Sequence, residues 1–86
     1  MQRYRIVFTR AARRSLTSLP EHILPRVDAR ILALSSNPRP HGVKKLKGPE
    51  GHYALRVGDY RVIYDIQDDR LVVIVIRIRH RRESYR

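Results

Sequence analysis

The stretch HYALRVGDYRVIYDI, residues 52–66, leaves this chain little freedom. Two runs of alternating apolar and polar residues flank Gly58-Asp59, a pair suited to a two-residue hairpin turn with glycine first. Such a turn fixes the pairing. Val57 falls opposite Tyr60, Arg56 opposite Arg61, Leu55 opposite Val62, Ala54 opposite Ile63 and Tyr53 opposite Tyr64. One face of the ribbon then holds Tyr53, Leu55, Val57, Tyr60, Val62 and Tyr64 and must cover a core. The other holds His52, Arg56, Arg61 and Asp65, because side chains alternate between the faces of a strand.

The rest of the chain supplies what that core needs. RYRIVF, residues 3–8, alternates and is rich in β-formers, so it reads as a first strand. Thr9 suits a helix N-cap, and Ala12, Leu16 and Leu19 recur at helical spacing behind it. Pro20 suits the first turn of a second helix, whose apolar stripe is Ile23, Leu24, Val27, Ile31 and Leu34. SSNPRP ends that helix. From Asn37 to Gly51 nothing is periodic, and so long a loop in a small chain is often functional. After a turn near Asp68-Asp69, residues 71–79 read as a last strand. Strict alternation sends Val72, Ile74, Ile76 and Ile78 to the core and Arg77 and Arg79 to the arginine face. The expectation is one domain over residues 1–86. It is an α+β fold of two layers, an antiparallel helix hairpin packed on a mainly antiparallel four-stranded sheet whose other face is open and basic.

Charge narrows the partner. The 86 residues carry 19 Lys and Arg against 8 Asp and Glu, a formal net charge of +11. That much repulsion opposes compaction and calls for a polyanion, nucleic acid first. Only Lys44, Lys45 and Lys47 are lysines; the other cations are arginines, whose planar fork grips phosphate in two places. There is no cysteine, and the four histidines lack ligand spacing, so neither disulfide nor metal site is expected. No apolar run approaches membrane-spanning length, and the first twenty residues have no apolar signal core, so a cytoplasmic protein is expected.

The end of the chain, RIRHRRESYR, adds chemistry to binding. Arg56 and Arg61 are placed side by side at an electrostatic cost that an anion between them would reverse, and Arg77, Arg79 and Arg81 converge on them. His80 can move a proton near neutrality, and the hydroxyl of Tyr85 stands among arginines that favour its ionised form. Each also has a structural reading, His80 as a strand end and Tyr85 as a ring over the sheet edge. RNA carries its own nucleophile, the 2′-OH. A protein need only align it, shuttle two protons and neutralise the developing charge. Arg, His and Tyr suffice without a metal, and the carboxylates are too few and too scattered for a two-metal nuclease site. Lys44, Lys45 and Lys47 read as a phosphate-steering loop, and His52 as a substrate-facing residue at its end.

The ordered set FTRAARRSLTSLP, NPRP, KKLKG, YALRVGDYRVIYDI and HRRESYR resembles the RelE/ParE superfamily of toxins from toxin–antitoxin systems, over nearly the whole length. The resemblance implies a RelE-like fold and, in the RelE branch, a cofactor-free endonuclease that cleaves messenger RNA in the ribosomal A site. Attack by the 2′-OH would leave a 2′,3′-cyclic phosphate and a 5′-OH. A cognate antitoxin, RelB-like or of another kind, would inhibit it. By position, Arg61 and Arg81 match the family's phosphate-stabilising arginines, Tyr85 its C-terminal tyrosine, and His80 a position used in acid–base work. Lys45, Lys47, His52, Arg56, Arg77 and Arg79 would bind RNA. Where some members carry two lysines on the second strand, this chain has His52 and Ala54, so the general base stays open. The alternatives are a ParE-like poison of DNA gyrase and a non-catalytic nucleic-acid-binding module.

Overall fold

Strand β1 (Arg5–Phe8) runs through Thr9 into helix α1 (Arg10–Thr17). This is a computed structural model, and it describes residues 3–82. The Thr9 hydroxyl accepts the Ala12 amide at 3.1 Å, the expected cap. Helix α2 (Leu24–Ala33) starts four residues later than Pro20 suggests. Pro20 opens a turn, its carbonyl accepting from the amides of Ile23 and Leu24, and Pro25 takes the first helical turn, where a missing N–H costs nothing. Strands β3 (Tyr53–Val57), β4 (Tyr60–Gln67) and β5 (Val72–His80) form the meander. The expected loop contributes a two-residue strand, β2 (Lys44–Lys45), so the four expected strands become five, in the order β1-β5-β4-β3-β2. Only the β1–β5 pair is parallel. Helix α1 lies on β5 and α2 on β3, which leaves the opposite sheet face uncovered by helix.

The β3–β4 register is the expected one at all five pairs. Gly58 has φ +60 while Asp59 does not leave the negative-φ region, the pattern of a II′ turn with glycine first. Strand β5 departs from its reading. Val73 and Val75, not Ile74 and Ile76, point into the core, and both are fully buried. Tyr64 pairs with Val75 but Ile63 pairs with Arg77, so Ile76 is an extra residue, a β-bulge. A bulge shifts the alternation by one. Beyond it Ile78 faces the core, as expected, and Arg77 and Arg79 face the open side. Without the bulge the register that buries Val73 and Val75 would drive both arginines into the core. Thr9 holds the irregular place: its amide donates to the Val75 carbonyl at 3.0 Å and its hydroxyl to the Ile76 carbonyl.

A polar clamp closes the other end of the sheet. Asp68, in the β4–β5 turn, accepts from Tyr4 at 2.6 Å and from both terminal nitrogens of Arg39, at 3.1 and 2.8 Å. The Arg39 Nε donates to the Tyr53 hydroxyl at 3.3 Å, and its guanidinium lies over the Tyr53 ring. Tyr53 stacks on Tyr64, whose buried hydroxyl donates to the Pro38 carbonyl at 2.7 Å. Desolvation pushes the Tyr64 phenol up to about 12, so it remains a donor. The clamp therefore anchors the start of the 37–52 segment to β1, β3 and β4 together.

Two outcomes test this arrangement. Thr9→Ala removes the cap and a bond to the bulge, and should lower unfolding free energy in urea by about 1–2 kcal/mol. The hydrogen bonds from Arg39, then from Tyr4, hold the Asp68 carboxyl down to about 2. A depressed carboxyl contributes stability that is present above its unfolded value and lost as pH falls through its folded one. Asp68→Asn should lower the melting temperature at pH 7, and the gap to the native protein should close between about pH 4 and pH 2.

Candidate nucleic-acid interface

The bulge and the hairpin turn together set three arginines abreast. Arg56 faces Arg61 across β3 and β4, and Arg61 faces Arg79 across β4 and β5. Directly opposed side chains on paired strands have Cβ atoms about 5 Å apart, and like charges there repel. Arg77 stands one step further along β5, opposite Ile63. Arg61, Arg77 and Arg79 line a groove of about 350 Å³, floored by Ile63 and Ile76. Its far wall is the segment after β2: Leu46, Glu50 and His52. That wall is a closed loop, because the Leu46 amide donates to the His52 carbonyl at 2.8 Å.

The other expected residues are spread more widely. The Nε of Arg56 donates to the Gly58 carbonyl at 3.2 Å, which keeps it at the groove's outer margin. Arg81 sits at the rim, its amide on the Asp59 carbonyl at 2.6 Å and its guanidinium 3.8 Å from the Asp59 carboxylate. Both side chains of that pair are exposed, so it holds Arg81 only weakly. Lys45 pairs with Tyr53 and lies over its ring, on the opposite side from the groove, while Lys47 is exposed on the loop. His80 is not brought together with the arginines. It pairs with Tyr60, meets that ring edge-on at 5.0 Å, and lines a shallow pocket with Arg14 and Ser18 on the helix side of the sheet. Its Nδ1 accepts the Arg82 amide at 3.2 Å. Tyr85 lies outside the described residues. Sequence reasoning missed Glu50. The signal was present in GPEG, a carboxylate between glycines two positions before His52.

Comparison with known proteins identifies the lineage. The profile described as ParE toxin of type II toxin-antitoxin system, parDE, matches residues 6–85. Toxin RelG of Mycobacterium tuberculosis is 36% identical over 84 residues, covering 96% of this chain and 97% of RelG. The chain belongs to the RelE/ParE toxin family. Toxin RelE of the same organism is 38% identical, covering 96% of this chain and 87% of that toxin. Among solved structures, the M. tuberculosis toxin–antitoxin complex RelBE2 contains a chain that superposes with a TM-score of 0.82 at 36% identity, with 94% of each chain covered. The RelE–RelB complex of Pyrococcus horikoshii matches with the same TM-score at 29% identity, covering 93% of this chain and 97% of that one. The fold is thus RelE-like, with β2 as the fifth strand of its sheet.

For this toxin, the groove gives a salt-dependence that can be measured. Each neutralised phosphate of a single strand changes the slope of log affinity against log salt by about −0.7. Binding of a single-stranded RNA should weaken steeply with salt. Arg61→Ala and Arg79→Ala should each make the slope shallower by roughly that amount, as read by fluorescence anisotropy across a salt series. An affinity independent of salt would remove the groove as a phosphate site.

Proposed function

We propose that this toxin is a ribosome-dependent messenger-RNA endonuclease that acts in the cytoplasm and is held inactive by a cognate antitoxin. In this reading it cleaves message in the ribosomal A site. The RNA 2′-OH attacks the adjacent phosphorus and leaves a 2′,3′-cyclic phosphate and a 5′-OH. The observation that carries the reading is the groove of Arg61, Arg77 and Arg79, three guanidiniums beside a floor of Ile63 and Ile76. Fixed cations aimed at the phosphate stabilise the charge that grows on its oxygens in the transition state. They also repel a divalent metal, and attack by the 2′-OH requires none.

The roles follow from position. Arg61 bears on the scissile phosphate, with Arg77 and Arg79 beside it. Arg81 swings from its weak pairing with Asp59 to reach the phosphate from the rim. His80, through the Arg82 amide, orients the turn that carries Arg81 and acts as a positioning residue. Tyr85 is the chain-end candidate for a proton transfer. Lys47 and Arg56 steer RNA towards the groove, and Lys45, on the opposite side, adds only to the general positive field. The antitoxin is expected to be RelB-like, since relatives have been solved as RelB–RelE complexes.

A second reading, a poison of DNA gyrase, is favoured by the ParE description of the matching profile. The two separate cleanly. Purified full-length toxin should cut a ribosome-bound message, detected as a new end by primer extension, and leave gyrase supercoiling intact. Arg61→Ala should slow cutting about a hundredfold or more, as removal of a transition-state donor does. Gyrase inhibition without any cleavage would transfer the protein to the second reading.

A further inference from the structure

Phosphate stabilisation leaves two protons unassigned. Cleavage by a 2′-OH needs one group to take the nucleophile's proton and another to protonate the departing 5′-oxygen. Arginine does neither, since it is never deprotonated in proteins. Of the two chain-end candidates, His80 lies on the other face of the sheet. The groove itself contains two groups of the required kinds. Glu50 and His52 line it together with Arg61, Arg77 and Arg79, and among the described residues they are its only non-arginine ionisable groups.

Their placement is built into the loop. The chain passes Gly51 at φ +67, a conformation that lets it turn between the two residues. Gly48, at φ +131, leaves room for the carboxylate: a Cβ there would stand 3.2 Å from Glu50 Oε1. The Leu46–His52 hydrogen bond closes the loop across its base. A carboxylate lining a groove with three arginines is also a poor choice for binding RNA, because it repels the phosphates that the arginines attract. A catalytic task gives it a reason to be there.

We infer that Glu50 and His52 are the proton-transfer pair of this groove, an inference that rests on the nuclease reading above. An ionised carboxylate only accepts hydrogen bonds, so Glu50 takes the proton from the 2′-OH. The 2′-oxygen bonds to phosphorus and the bond from phosphorus to the 5′-oxygen breaks. His52, arriving as the imidazolium, gives its proton to that 5′-oxygen. The products are a 2′,3′-cyclic phosphate and a 5′-OH, with Glu50 protonated and His52 neutral; exchange with water restores both. Arg61, Arg77 and Arg79 hold the phosphate between these events.

The test uses full-length toxin, ribosomes and synthetic messages, two of them cleavable. One has the ordinary linkage at the cleavage site, and the other has sulfur in place of the bridging 5′-oxygen, a leaving group that needs no proton. A third message, with a single 2′-deoxy residue, cannot be cut and reports binding alone. Glu50→Gln should slow cutting of both cleavable messages by about 10²–10⁴-fold, the range of general acid–base effects. It should bind the 2′-deoxy message at least as tightly as wild type, because a repulsive charge is gone; a misfolded variant would lose that binding. His52→Gln should be slowed similarly on the ordinary linkage yet return to within about threefold of wild type on the sulfur linkage, since the acid step is no longer needed. Wild-type cutting by Glu50→Gln overturns the base assignment. A His52→Gln defect that persists with sulfur overturns the acid assignment. If both variants cut normally while Tyr85→Phe does not, the proton work belongs to the chain end and the inference fails although the nuclease reading stands. If wild type cuts no message, the nuclease reading fails and takes the inference with it.

Discussion

The single residue inserted at Ile76 determines which way the charged half of this molecule faces. Strand β5 must bury Val73 and Val75 against the helices and still present Arg77 and Arg79 to the outside. These demands conflict under strict alternation, since all four positions are odd. The bulge resolves the conflict by advancing the alternation by one. Thr9 stabilises it from the neighbouring parallel strand while also capping α1. One side chain thus couples the start of the first helix to the orientation of the basic face, and the loss of either disturbs both.

The arginine row then stores repulsion. Arg56, Arg61 and Arg79 lie abreast on three strands, an arrangement no folding requirement favours. Packing beneath them tolerates it: Leu55, Val62 and Ile78 hold the same three strands from the core side, and each is nearly or fully buried. A polyanion bound on the open face would relieve that repulsion.

The groove needs its second wall as much as its floor. That wall belongs to the segment between α2 and β3, which contributes only a two-residue strand of its own. Its position depends on the Tyr4–Asp68–Arg39 clamp and on the Tyr64 bond to Pro38, both at the other end of the sheet. Ionic and aromatic contacts there hold the segment's start, and the Leu46–His52 bond closes its end. Loops that carry function are commonly fixed in this way by a rigid scaffold around them.

Much of this was legible in the sequence. The hairpin register followed from Gly58-Asp59, because a two-residue turn admits one pairing, and the Thr9 cap followed from its place before a helical stripe. The excess of arginine over acidic residues points to a phosphate-bearing partner. The bulge was not legible. Residues 72–76 are all valine or isoleucine, so either alternation satisfies the pattern, and only packing against β1, β4 and α1 selects between them. His80 shares the helix-side face with Ile78, away from the arginines it adjoins in sequence, as the alternation of that strand already implies. Glu50 entered the groove by the reverse route. It is remote in sequence from Arg77 and Arg79, and only loop closure across the sheet brings it to them. Local alternation and turn chemistry act over a few residues and can be read along the chain. Which face a residue finally occupies depends on the sum of every insertion before it and on contacts made across the sheet, and that sum exists only in the folded molecule.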